Sequence, residues 1–162
     1  MRRTALLIAA CMLAAAPAQA GCPMELAVYK DRDGLAGIDF RPAGKSAAVT
    51  NSFRMALKDD MVLDGLVMWT EGERRARGMI SHDCPEGDVT GEELAACTLW
   101  EGVIYTADDQ GRIGLLPPEG QDAPQRLILS DLGPSLRFSA NFAKMGLDRA
   151  PWDVFELSGC QE

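Results

Sequence analysis

Four cysteines outside the first twenty residues constrain the fold of this chain more than any other feature of its sequence. They are Cys22, Cys84, Cys97 and Cys160, and they allow three pairings. We favour Cys84–Cys97, which would close a local loop. We also favour Cys22–Cys160, which would join the two ends of a domain, because chain termini often lie close together. No Cys-x-x-Cys spacing occurs, so a zinc or haem site is not indicated.

Residues 1–20 have the composition of a signal peptide. Arg2 and Arg3 give a positive start, Ala5–Ala16 is a short apolar run, and Ala18-Gln19-Ala20 supplies the small residues of a cleavage site. No later apolar run reaches roughly 18 residues, so we expect no transmembrane helix. We expect a single domain over residues 21–162. The signal peptide predicts a periplasmic or secreted protein, and export to an oxidising compartment makes disulfides the default.

A lipid anchor is the alternative for the new N-terminus. Ala20-Gly21-Cys22 resembles the end of a bacterial lipobox, in which the cysteine becomes the lipidated first residue. Gln19, however, stands where that pattern prefers leucine. We favour a disulfide for Cys22, because Cys160 is a suitable partner.

The charge of the chain is strongly acidic. Its formal net charge is −8, from 16 basic and 24 acidic residues. Removal of the predicted signal peptide would take away two arginines and no acids, which leaves 14 basic residues against 24 acidic ones and a charge of −10. Such a chain repels phosphate backbones, so we do not expect a nucleic-acid partner. A cationic partner or a divalent ion remains compatible with this charge.

The hydrophobic pattern predicts a mainly β, or α+β, domain. Short alternating or apolar segments are separated by turn residues, and no β-α-β rhythm is present. We expect an antiparallel β sandwich or a partly closed barrel with one or two short helices and two disulfides. The predicted strands cover 24–30, 36–41, 49–57, 62–70, 78–82, 101–106, 112–116, 125–129 and 152–157.

Two helices are predicted between these strands. Thr90-Gly91-Glu92-Glu93 fits a capping box, which would start a helix that ends near Cys97 or Leu99. Pro134 suits the start of a second helix over Ser135–Met145, which Gly146 would end.

Two stretches of the chain carry a resemblance. They are His82–Cys97, read as HDCPEGDVTGEELAAC, and Pro151–Cys160, read as PWDVFELSGC. With them the chain resembles small exported bacterial proteins of no known function. The resemblance implies an exported protein that is stabilised by disulfide bonds. It implies no activity and no site residues.

His82 is the only histidine and therefore the first candidate for catalysis. It could act as a base, but Asp83 is its neighbour in the sequence, and successive residues of a strand point to opposite faces. We therefore expect Asp83 to be poorly placed to orient the His82 ring. Asp64 or Glu71 are the alternative partners. No Gly-x-Ser-x-Gly motif occurs.

The acidic stretch around His82 also raises the question of a metal site. Its carboxylates are Asp83, Glu86, Asp88, Glu92 and Glu93, but their spacing does not match a calcium-binding loop. Asp83, Glu86 and Asp88 remain the candidate metal ligands. Three tryptophans, Trp69, Trp100 and Trp152, could form a sugar platform, but their apolar strand contexts favour core packing.

The leading hypothesis from the sequence is a non-enzymatic exported domain that binds a partner, either a protein or a small molecule, or serves the envelope. One alternative is a small hydrolase that uses His82 with a carboxylate partner. Others are a calcium-stabilised module and an inhibitor of a cationic enzyme. We expect no cofactor.

Overall fold

The computed structural model describes residues 21–58, 61–69, 72, 74–139, 142 and 148–162. The predicted signal peptide lies outside these residues. The described part contains ten strands, two α-helices and a short 3-10 helix at Met24–Leu26. The strands are β1 Ala27–Asp31, β2 Ala36–Arg41, β3 Val49–Leu57, β4 Val62–Met68, β5 Arg77–Ser81, β6 Thr98–Gly102, β7 Ile104–Ala107, β8 Ile113–Leu115, β9 Arg126–Leu129 and β10 Val154–Cys160. The helices are α1 Gly91–Cys97 and α2 Leu132–Phe138.

All ten strands belong to one antiparallel sheet, in the order β6-β5-β4-β3-β2-β1-β10-β9-β7-β8. This confirms the mainly β prediction. Of the two predicted architectures, the partly closed barrel is the one that forms, as a curled half-barrel rather than a two-layer sandwich.

Val103 explains why the sheet curls. It is the only residue between β6, at one end of the sheet, and β7, which pairs with β8 and β9 at the other end. The chain crosses from one end of the sheet to the other within one residue, so the two ends must lie close together. The single predicted strand over 101–106 was therefore wrong, because the chain changes partners in the middle of it.

The core lies inside the curl and follows from alternation along the strands. In β3, Phe53, Met55 and Leu57 face inwards and are buried. The Phe53 ring contacts the Phe40 ring of β2, with a centroid distance of 5.3 Å. Directly opposite Phe53 on β4 stands Gly65, which leaves room for the ring.

Both predicted disulfides are confirmed. Cys22–Cys160 joins the start of the described chain to the end of β10, with a Cα–Cα distance of 5.7 Å. Cys84–Cys97 ties the loop after β5 to the last residue of α1, with a Cα–Cα distance of 5.2 Å. No helix in the described ranges is long and apolar enough to cross a bilayer.

Helix α1 begins and ends where the sequence predicts. The Thr90 hydroxyl accepts a hydrogen bond from the Glu93 amide, and the Glu93 carboxylate accepts one from the Thr90 amide. These two bonds form the predicted capping box. Hydrogen bonds from the Thr90 backbone, and then from its side chain, lower the pKa of the Glu93 carboxyl.

Helix α2 is shorter than predicted. It ends at Phe138, because Ser139 is extended, with a ψ of 148°. The predicted helix over 135–145 was wrong in its end, and Phe138, its last residue in the structure, is exposed. Pro134 lies in the first turn, where its missing N–H has no intrahelical partner to lose. Met145 and Gly146 lie outside the described residues.

Candidate functional site

His82 and Asp83 contact each other, contrary to the expectation from strand alternation. The distance between His82 Nε2 and Asp83 Oδ2 is 3.2 Å. The expectation failed because β5 ends at Ser81, and Asp83 has a φ of 52°. That left-handed conformation turns its side chain back towards the imidazole, since the alternation rule holds only within a strand.

The other proposed partners do not complete a catalytic set. Asp64 lies opposite Ser81 and forms an ion pair with Arg54, with 3.7 Å between Asp64 Oδ1 and the arginine Nε. Glu71 lies outside the described residues. The His82 amide donates to the Cys97 carbonyl at 3.0 Å, which ties this segment to the end of α1. His82 is half-buried.

The structure does not gather the acidic residues after His82 into a metal-binding group. Among the residues described, no three histidine, cysteine, aspartate or glutamate side chains converge in a way that could hold an ion. Asp83 is engaged with His82, and Glu86 and Asp88 are exposed. Both disulfides place the four cysteines outside nucleophilic chemistry.

Only one of the three tryptophans packs in the core. Trp100 is buried and donates its indole N–H to the Ser130 carbonyl at 2.9 Å. Trp69 and Trp152 are exposed, so core packing was the wrong prediction for both. Trp69 follows the end of β4 and Trp152 precedes β10, so neither side chain is held by the alternation of a strand.

Trp152 lines an open groove with Phe138 and Arg149. The polar groups around Trp152 are already engaged within the chain. Its indole N–H donates to the Asp33 carboxylate at 3.0 Å, and the Arg32 guanidinium lies 3.5 Å from the centre of its ring. Arg149 also lies beside Asp33, with 3.7 Å between its Nη1 and Asp33 Oδ2. These contacts engage Trp152 and Arg149 within the chain.

A different surface, at the β8 end of the sheet, combines exposed apolar side chains with a cavity. The exposed fractions of Ile113, Trp69 and Leu115 are 62%, 49% and 46%. Leu115 and Trp69 line a cavity of about 200 Å³, whose other walls are mainly apolar. An adjoining surface pocket is lined by Arg75, Tyr105, Ile113 and Leu115. Together with Trp69 and the cavity, we call these residues the β8 surface.

The backbone of β8 is fixed at both ends. Arg112, before the strand, donates its backbone amide and its guanidinium to the Asp108 carboxylate. After the strand, the Pro117 carbonyl accepts from the buried Asn51 side-chain amide at 3.0 Å. Gly111 closes the β7–β8 turn with a φ of 76°, a left-handed conformation that favours glycine. The edge is therefore ordered before any partner binds.

The β8 surface was not predicted from the sequence. The apolar run Ile113–Leu116 is evident in the sequence, but no local pattern indicates which strand lies at the edge of a sheet. The surface offers a strand edge, an apolar cavity and a guanidinium, and these groups suit binding rather than bond cleavage. No protein-family model matches this chain, and no curated protein or solved structure is significantly similar to it.

Proposed function

We propose that this chain is a non-enzymatic exported domain, periplasmic or secreted, that binds a partner through the β8 surface. One observation carries the proposal: Trp69 and Leu115 expose apolar side chains around one cavity, and Ile113 exposes its side chain beside Leu115 in an adjoining surface pocket. Clustered apolar exposure of this kind marks interaction sites, whereas single exposed apolar residues are ordinary. The two disulfides support export, because such bonds persist in oxidising compartments.

Site-specific photocrosslinking tests this function. A photoreactive phenylalanine analogue replaces Ile113 in cells that export the protein, and the matched control carries it at Val62. Val62 is also apolar and 42% exposed, but it lies on β4, a strand with neighbours on both edges. We expect a discrete crosslinked species from position 113 only. Equal products from both positions, or none from position 113, would contradict the proposal.

The hydrolase is the second candidate function, and the 3.2 Å contact between His82 and Asp83 favours it. A carboxylate that holds an imidazole is one part of a general-base pair. We expect His82→Ala and Asp83→Asn proteins to behave like the unmodified protein towards ester, amide and phosphoester substrates. Turnover by the unmodified protein that both substitutions abolish would establish the hydrolase and overturn the binding proposal.

A further inference from the structure

We infer that the occupant of the β8 surface is an extended, carboxylate-bearing peptide segment that adds to β8 as a further strand. This inference rests on the binding function proposed above and names the class of partner. Strand addition takes its affinity from main-chain hydrogen bonds and its specificity from pockets for alternate side chains. The β8 surface presents each of these features.

The outer edge of β8 presents backbone amides that pair with no strand among the described residues. The Asp108 amide donates to the Arg112 carbonyl at 3.1 Å, so the polar groups of Arg112 face β7. Backbone groups alternate between the two edges of an antiparallel strand. Those of the next residue, Ile113, which stands opposite Ala107, therefore point away from β7. No strand pairs with this edge in the described sheet.

The hydrogen bonds that run from β10 through β9 to β7 give the same orientation for the backbone groups of β8. The Leu129 amide donates to the Asp153 carbonyl at 2.8 Å, so the polar groups of Leu129 face β10. Alternation then turns those of Ile128 towards its partner Tyr105 on β7. Tyr105 thus bonds to β9 rather than β8, and the amide of Leu115, opposite Tyr105, points outwards.

The side chains of this edge provide the pocket. Ile113 and Leu115 are two residues apart, so they share one face of the sheet. A strand added beside them would place every second side chain on that same face. On that face these two residues line a surface pocket with Tyr105 and Arg75, next to the cavity of about 200 Å³ that Leu115 and Trp69 border. An apolar side chain of the incoming segment would fill this space.

Arg75 supplies charge complementarity at the rim. It lines the surface beside Ile113 and Leu115, and its Nη1 donates to the Tyr105 hydroxyl at 2.7 Å. The hydroxyl is neutral, and within the described ranges Arg75 forms no ion pair. The remaining guanidinium N–H groups are suited to a carboxylate, which they can bind in a bidentate manner.

A second copy of the chain suits this surface less well. The formal net charge of −8 makes two copies repel each other more strongly than it repels a short segment with a single carboxylate. The edge is also only three residues long, whereas a stable dimer buries about 800 Å² on each partner. A short peptide can bind to the edge without burying an area of that size.

Affinity selection with a display library of random short peptides tests the inference. The target is the exported, oxidised protein, and affinities of the enriched peptides are measured by fluorescence anisotropy. The decisive variant is Ile113→Pro, which removes an outward N–H that β7 does not use, a position where edge strands tolerate proline. The matched control is Ile113→Thr, which keeps the N–H and shortens the side chain. Unchanged circular dichroism verifies that both variants fold.

We expect enriched peptides with apolar residues at alternate positions and an acidic residue. Ile113→Pro should weaken their binding at least about tenfold and Ile113→Thr less than about threefold, because only the proline removes the main-chain contact. Arg75→Gln should abolish the preference for an acidic residue. This second variant tests the inference independently of any effect of proline on the fold.

Three results would overturn the inference. One is enrichment of peptides whose binding is indifferent to Ile113→Pro. Another is self-association that Ile113→Pro abolishes and Ile113→Thr leaves intact, since the occupant would then be a second copy. The third is the absence of any enriched peptide while position 113 still forms a specific crosslink, which would leave the binding function standing. Failure of both experiments would remove the binding function as well.

Discussion

Replacing Cys22 and Cys160 together with alanine should remove about 5 kcal/mol from the free energy of unfolding, in the chain-entropy account of disulfides. The bond spans a sequence separation of 138 residues, so its loss frees almost the whole described chain in the unfolded state. Denaturant titration without reductant, followed by far-ultraviolet circular dichroism, measures the change.

The second disulfide is the matched control. Cys84 and Cys97 are 13 residues apart, so their replacement with alanine should cost only about 3 kcal/mol on the same basis. The difference between the two losses in unfolding free energy is a stronger test than either value alone, since both variants are measured in the same protein. An equal or greater loss from the short loop would show that native-state packing around α1, rather than loop length, determines the contribution.

Gly65→Ala is the single substitution expected to damage the core most, with a loss of about 3 kcal/mol. A Cβ at this position would overlap the ring of Phe53, its direct cross-strand neighbour. That ring is buried against Phe40, so it has little room to move away. Thermal unfolding of the variant, with both disulfides intact, measures the effect.

Gly37→Ala provides the control for this substitution. Gly37 also lies within a strand, β2, but the nearest atom to its added Cβ is the Tyr29 carbonyl oxygen at 3.5 Å, an ordinary contact. The change should be neutral or stabilise by up to about 1 kcal/mol, because alanine restricts the unfolded chain. A large loss at position 37, or none at position 65, would contradict this account of the core.

The sequence predicted the features that depend on local spacing. β2 and β3 have the predicted bounds, because their alternation is regular and turn residues flank them. The capping box at Thr90 is equally local. The disulfide pairing was predicted because one pair closes a short loop and the other joins the chain ends.

The predictions that failed depend on distant contacts or on single backbone angles. The split of one predicted strand at Val103 depends on which strands pair with each half. The contact between His82 and Asp83 depends on one positive φ, which aspartate adopts more often than most residues but which no neighbour signals. The exposure of Trp69 depends on where β4 stops.

The candidate site could not be predicted from the sequence, for a related reason. Ile113 and Leu115 have the same composition as a buried strand, and only the order of the strands makes β8 an outer edge. Conversely, His82 was the first candidate because it is the only histidine, although Asp83 is the only described residue whose carboxylate contacts its ring.

The position of β10 has a consequence for how the chain acquires its structure. β10 is the last strand in sequence, yet it lies between β1 and β9 within the sheet. The ribosome delivers β1 first, so that strand must wait with one edge unpaired until residues 154–160 have been synthesised. Pairings over such sequence distances fold slowly and leave strand edges open to aggregation meanwhile.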